Sequence, residues 1–157
     1  QFKMHKILPK QADNTYDFNK VIIYIFGVLT AVTVVRSFIH MLASDGGANS
    51  IATIIVFNGT PDPNAVVYFI FSLWGLSQLL MGCMYVIVLI RYKNLIPLMF
   101  IFIFIEYAMR IIIGRLLKPL EEIYFTGTVP GGIGNYILVP VVIILLVWSL
   151  FSRKKSR

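Results

Sequence analysis

The chain has 157 residues, of which 58% are hydrophobic and only 13% charged, and its mean hydropathy is +0.82. A soluble domain of this size carries about a quarter charged residues, so the composition excludes an aqueous surface over most of the chain and implies one membrane-embedded domain. The net charge of +7 does not point to nucleic acid. The basic residues flank apolar runs, no basic–aromatic recognition motif accompanies them, and membrane insertion explains them.

Residues 1–20 are polar, contain no secretory h-region, and predict an irregular, partly ordered segment rather than an amphipathic interfacial helix. The first span is expected over Val21–Ala43. It contains Gly27 and Ala31, a small-xxx-small pair that allows close approach of a neighbouring helix. The second is expected over Ala65–Ile90, with Pro61 and Pro63 placed just before it, where they cannot interrupt it. The third is expected over Leu95–Leu117. Pro97 falls in its first turn, and Lys118-Pro119 ends it, because the residue before proline avoids helical backbone. The fourth is expected over Tyr136–Phe151, the shortest of the set, with Pro140 in its first turns and a start nearer Ile133 giving a fuller span. Residues 21–151 thus form an all-α antiparallel four-helix bundle, and 152–157 a basic tail.

Charge sets the orientation. Lys3, Lys6, Lys10 and Lys20 lie in the N-terminal segment, Arg91 and Lys93 in the middle connection, and Arg153, Lys154, Lys155 and Arg157 in the tail. With four spans these regions share one side, expected to be the cytoplasm, while three or five spans would scatter them. The other two connections carry Asp45 and Asp62 in one, and Lys118, Glu121 and Glu122 in the other.

Ionisable residues inside spans are costly, so each is a candidate for function. Arg36 and His40 stand four apart on one face of the first span, and Glu106 and Arg110 four apart on the third. Gln78 lies near the middle of the second. The first and third spans run in the same direction, and Arg36 and Arg110 each come about fifteen residues in, so they reach similar depth. Arg115, Lys118 and Asp45 fall near the outer boundary. Three readings follow. The charges pair among themselves and fix helix register in a non-enzymatic accessory subunit or small oligomer of a membrane complex. Alternatively, the excess of Arg36, Arg110, Arg115 and Lys118 over Glu106 and Asp45 binds an anionic lipid or small amphiphile. In the third reading, His40 and Glu106 exchange protons in a membrane enzyme or proton-coupled carrier. Two His and the single cysteine, Cys83, make neither a dedicated zinc site nor an internal disulfide, and no cofactor is expected.

Two outer stretches are glycine-rich, 44–50 and 129–135. They are expected as compact turns, and they lack the GxxxxGK[ST] phosphate-loop spacing. The apolar run Ile51–Phe57 is too short to span and reads as a short interfacial helix or strand over the bundle. Asn58-Gly59-Thr60 matches a glycosylation sequon on the outer side. Trp74, Trp148 and several Tyr near span ends read as packing and interfacial anchors.

Several of these segments resemble small four-span bacterial membrane proteins of unknown activity. They are Arg36-x3-His40, Asp45-Gly46-Gly47-Ala48, Trp74-Gly75-x2-Gln78, Glu106-x3-Arg110-x3-Gly114-x3-Lys118-Pro119 and Pro130-Gly131-x2-Gly134-Asn135. The resemblance, over roughly residues 21–151, implies a bacterial inner membrane and brings no catalytic residue with it.

Overall fold

An apolar segment in lipid must satisfy its backbone N–H and C=O groups within the protein, which for single runs of this length leaves the helix. The computed structural model describes residues 6–151 and contains four helices: α1 (Lys20–Leu42), α2 (Asn64–Arg91), α3 (Ile96–Ile112) and α4 (Pro130–Leu150). A 3-10 turn, Lys93–Leu95, leads into α3 and a π-helical turn, Ile113–Leu117, prolongs it. All four spans are long and apolar enough to cross a membrane. Among the described residues there is no strand, and the bundle is all-α and antiparallel, as expected. Residues 1–5 and the tail 152–157, including Lys3 and all four tail cations, lie outside the described residues.

Helix starts follow local chemistry. The Asn19 side chain accepts from the Val21 N–H at 3.0 Å and caps α1. Asp62 accepts from the Asn64 N–H at 2.9 Å at the head of α2. Pro97 stands in the first turn of α3, where the missing N–H matters little. One boundary departs from expectation. Residues 130–135 are the first turns of α4 rather than an outer glycine turn, so this helix begins six residues earlier than Tyr136. Pro130 opens it, and the backbone that follows, glycine or not, bonds within the helix because lipid offers no alternative partner.

α1 packs along α2, and α3 along α4. α1 and α2 approach closely at two glycines of α2: at Gly75 an added Cβ would come 2.6 Å from the Met41 nitrogen and 2.9 Å from the His40 carbonyl carbon, and at Gly82 it would come 2.8 Å from a Val34 methyl. Gly27 faces only Leu89 at an ordinary 3.7 Å. The intimate contacts therefore belong to glycines on α2, not to the Gly27–Ala31 pair.

The apolar core sits in the half of the bundle nearest the termini. Ile22, Phe26, Tyr85, Val88, Ile96 and Phe100 are buried there, and Phe26 meets Tyr85 and Phe100 edge-on at 5.7 Å each. An irregular strap from Lys6 to Asn19 closes that end. Asn94 joins it by accepting from the Asp13 N–H at 3.1 Å and donating to the Gln11 carbonyl at 2.8 Å, and Lys6 donates to the Leu150 carbonyl at 3.0 Å.

At the opposite end the two long connections are stitched together. Ile51 and Ala52 still belong to the preceding turn, Thr53 has a left-handed φ of 54°, and residues 54–57 are neither helix nor full strand, with an isolated antiparallel bridge at Ile54 and Phe125. The Ile55 N–H donates to the Tyr124 carbonyl at 3.1 Å and the Thr126 N–H to the Thr53 carbonyl at 2.7 Å. Both loops therefore sit at one end, over the half of the bundle that holds its charges.

Candidate functional site

Three helices converge on one polar cluster beneath these loops. Gln78 on α2 is buried, and its Oε1 accepts from Arg36 Nη2 of α1 at 2.9 Å and from Arg110 Nη2 of α3 at 3.2 Å. Glu106, one turn before Arg110, takes a direct ion pair from Arg110 and lies 3.9 Å from Arg36 Nη2. Arg36 Nη1 donates to the Tyr107 hydroxyl at 3.2 Å. Aromatic faces enclose the cations: the Arg110 guanidinium is 4.9 Å from the Trp74 ring and 5.0 Å from the Tyr107 ring, and Arg36 is 5.9 Å from each. Such contacts strengthen where water is scarce.

The cluster is only partly satisfied. Two guanidiniums share one carboxylate, leaving one positive charge. Arg36 Nε is buried and has no hydrogen-bond partner among the described residues. A buried donor left unpaired typically costs about 1–3 kcal/mol. The side chains of Arg36, Glu106 and Arg110 each keep between a fifth and a quarter of their surface exposed, although Arg36 Nε itself is covered.

The remaining candidates are placed elsewhere. His40 is buried between Trp74, at 4.6 Å, and Phe71, with Nδ1 2.8 Å from the Gly46 carbonyl. A carbonyl only accepts, so Nδ1 carries the proton. His40 and Glu106 share no hydrogen bond among the described residues, and the histidine pins the loop to α1. Gly46 and Gly47 have left-handed φ of 59° and 77°, and a Cβ on Gly47 would come 2.8 Å from His40 Nδ1. Both positions demand glycine.

Asp45 turns away from the arginines. Its carboxylate accepts from the N–H groups of Gly47 at 2.8 Å, Asn49 at 3.1 Å and Ser50 at 2.7 Å. Burial of the carboxyl works against ionisation, but the donors from Ser50, Gly47 and Asn49 outweigh it and hold the group below the usual carboxylate range. Arg115 Nε donates to the Tyr136 hydroxyl of α4 at 2.9 Å, and Lys118 is exposed where the π-helical turn ends. The structure thus unites Arg36, Gln78, Glu106 and Arg110, adds Trp74 and Tyr107, and leaves His40, Asp45, Arg115 and Lys118 outside the arginine pair's bonding. Among the described residues no group of three or more His, Cys, Asp or Glu could hold a metal ion.

Comparison with protein-family models, curated proteins and solved structures finds no match to this chain. The cluster's own chemistry is therefore the ground for a functional reading.

Proposed function

We propose that this integral membrane protein binds the anionic headgroup of a lipid or small amphiphile at the Arg36–Arg110 pair. The observation that carries the reading is the uncompensated positive charge beside a buried, unpartnered Arg36 Nε. Guanidinium donors favour carboxylate and phosphate oxygens, and an oxyanion there would supply both the missing charge and the missing acceptor. The end bearing the termini faces the cytoplasm in this reading, since Lys6, Lys10, Lys20, Arg91 and Lys93 collect there. That places the site in the outer half of the bilayer, with a bacterial inner membrane as its setting. Binding of this kind also suits an accessory subunit that holds a lipid in a larger complex or in a small oligomer. Proton exchange between His40 and Glu106 has less support, because each is engaged by a different partner.

Native mass spectrometry of the protein extracted in mild detergent tests the reading. The wild type should retain an anionic amphiphile, and the Arg36→Gln/Arg110→Gln double variant should retain at least tenfold less, since a charged hydrogen bond contributes about 1.5–3 kcal/mol. Equal retention by both would refute it.

A further inference from the structure

We infer that the headgroup this site takes carries a single negative charge, which makes its ligand a monoanionic amphiphile: a carboxylate or a phosphodiester rather than a phosphate monoester dianion. The inference rests on the anion-binding reading above. It follows from a count of the charges at the site. Arg36 and Arg110 bring two positive charges, and Glu106, ion-paired to Arg110 and 3.9 Å from Arg36, removes one. The other groups near the pair, Gln78, Tyr107, Trp74 and Tyr85, whose buried hydroxyl is also without a hydrogen-bond partner among the described residues, are polar or aromatic side chains that bring no formal charge. His40 has its Nδ1 proton on the Gly46 carbonyl, and the Asp45 carboxylate is taken up by three backbone N–H groups of its own turn.

In a poorly hydrated site the most stable arrangement is the one closest to neutral, because leftover charge is only weakly solvated. One negative charge neutralises the cluster. A second would lie close to Glu106 with no cation left to answer it. The unpartnered Arg36 Nε offers a single N–H direction, which suits one oxygen of a carboxylate or of a diester. Glu106 therefore acts as the residue that sets the headgroup's charge, in addition to holding Arg110 in place.

The test uses Trp74, which lies against both guanidiniums, as the reporter. The chain has two tryptophans, and Trp148→Phe leaves Trp74 alone. Fluorescence of this protein in neutral detergent is followed while laurate, dioctanoyl phosphatidylglycerol, dioctanoyl phosphatidic acid or dioctanoyl phosphatidylcholine is added. The titrations are run near pH 9, well above the second ionisation of a phosphate monoester at about 6. Laurate or phosphatidylglycerol should bind at least tenfold more tightly than phosphatidic acid, and whichever of the two is tighter identifies a carboxylate or a phosphodiester as the source. In Glu106→Gln the preference should reverse towards phosphatidic acid. Phosphatidic acid binding as tightly as the monoanions in the wild type would overturn the single-charge inference while leaving anion binding intact. Phosphatidylcholine binding as tightly as all the anions would overturn the anion-binding reading itself. If Glu106→Gln does not fold, the wild-type series decides the matter alone.

Discussion

The α1–α2 contact gives a prediction with opposite signs at two glycines. At Gly75 an added methyl would meet the Met41 nitrogen at 2.6 Å and the His40 carbonyl carbon and Cβ at 2.9 Å each. Two of these are backbone atoms, which no rotamer change can move aside. Overpacking of this kind costs about 1–3 kcal/mol, and a backbone clash argues for the upper end, ~3 kcal/mol. Alanine recovers about 1 kcal/mol over glycine in helix propensity. Gly75→Ala should therefore destabilise the protein by about 2 kcal/mol, net of that gain. Because the clash falls on residues 40 and 41, one turn beyond Arg36, the variant should also loosen the 2.9 Å bond from Arg36 to Gln78. At Gly114 an added Cβ meets nothing within 4 Å and the backbone is not left-handed. Gly114→Ala should be neutral or more stable by about 0.5–1 kcal/mol. Thermal unfolding of the two variants side by side in one detergent measures the difference. Equal melting temperatures, or a less stable Gly114→Ala, would refute the packing argument.

Two further outcomes follow from the loops and the span count. Asp45 is held below its ordinary pKa of 3.8 by backbone donors, so its contribution to stability is complete above that value and is lost as pH falls through the lower folded one. Asp45→Ala should cost about 1 kcal/mol, as loss of a capping side chain does, and should flatten the acid side of a melting-temperature profile; an unchanged profile would show that the turn does not depend on the carboxylate. Cys83 is exposed within α2, and in a bilayer it should resist both apolar and charged maleimides until denaturation admits water, because the thiolate that attacks does not form in hydrocarbon. On a Cys83→Ser background, Lys10→Cys and Asn58→Cys should react with the charged reagent from opposite faces of the membrane. Labelling of both from one face would contradict the topology.

Much of the site was legible because its residues are expensive where they stand. Arg36, Glu106 and Arg110 interrupt apolar runs, their four-residue spacing assigns faces, and the parallel course of the first and third spans puts them at matching depth. Gln78 stood out for the same reason. Trp74 and Tyr107 did not, because an aromatic residue in a span is usually packing or an interfacial anchor; the adjacency of Tyr107 to Glu106 was the available signal. By sequence depth Asp45 falls with the charged group, yet an aspartate followed by two glycines is also a turn former, and it is bonded as one. Which glycine mediates helix contact was not readable either. Gly27 had a suitable neighbour in Ala31, but the partner helix decides, and it presents Gly75. Pro130, Gly131 and Gly132 signal a turn in water, whereas in α4 lipid compels their backbone to close on itself, and the helix starts there rather than at Tyr136.

The most direct measurement is an experimental density map of the protein purified with native lipid, inspected between α1 and α3 beside Arg36. Non-protein density is expected at hydrogen-bond distance, about 3 Å, from Arg36 Nε, continuing into a hydrocarbon chain along the bundle. A well-ordered map in which Arg36 and Arg110 meet only protein groups, with Nε paired to one of them, would contradict it.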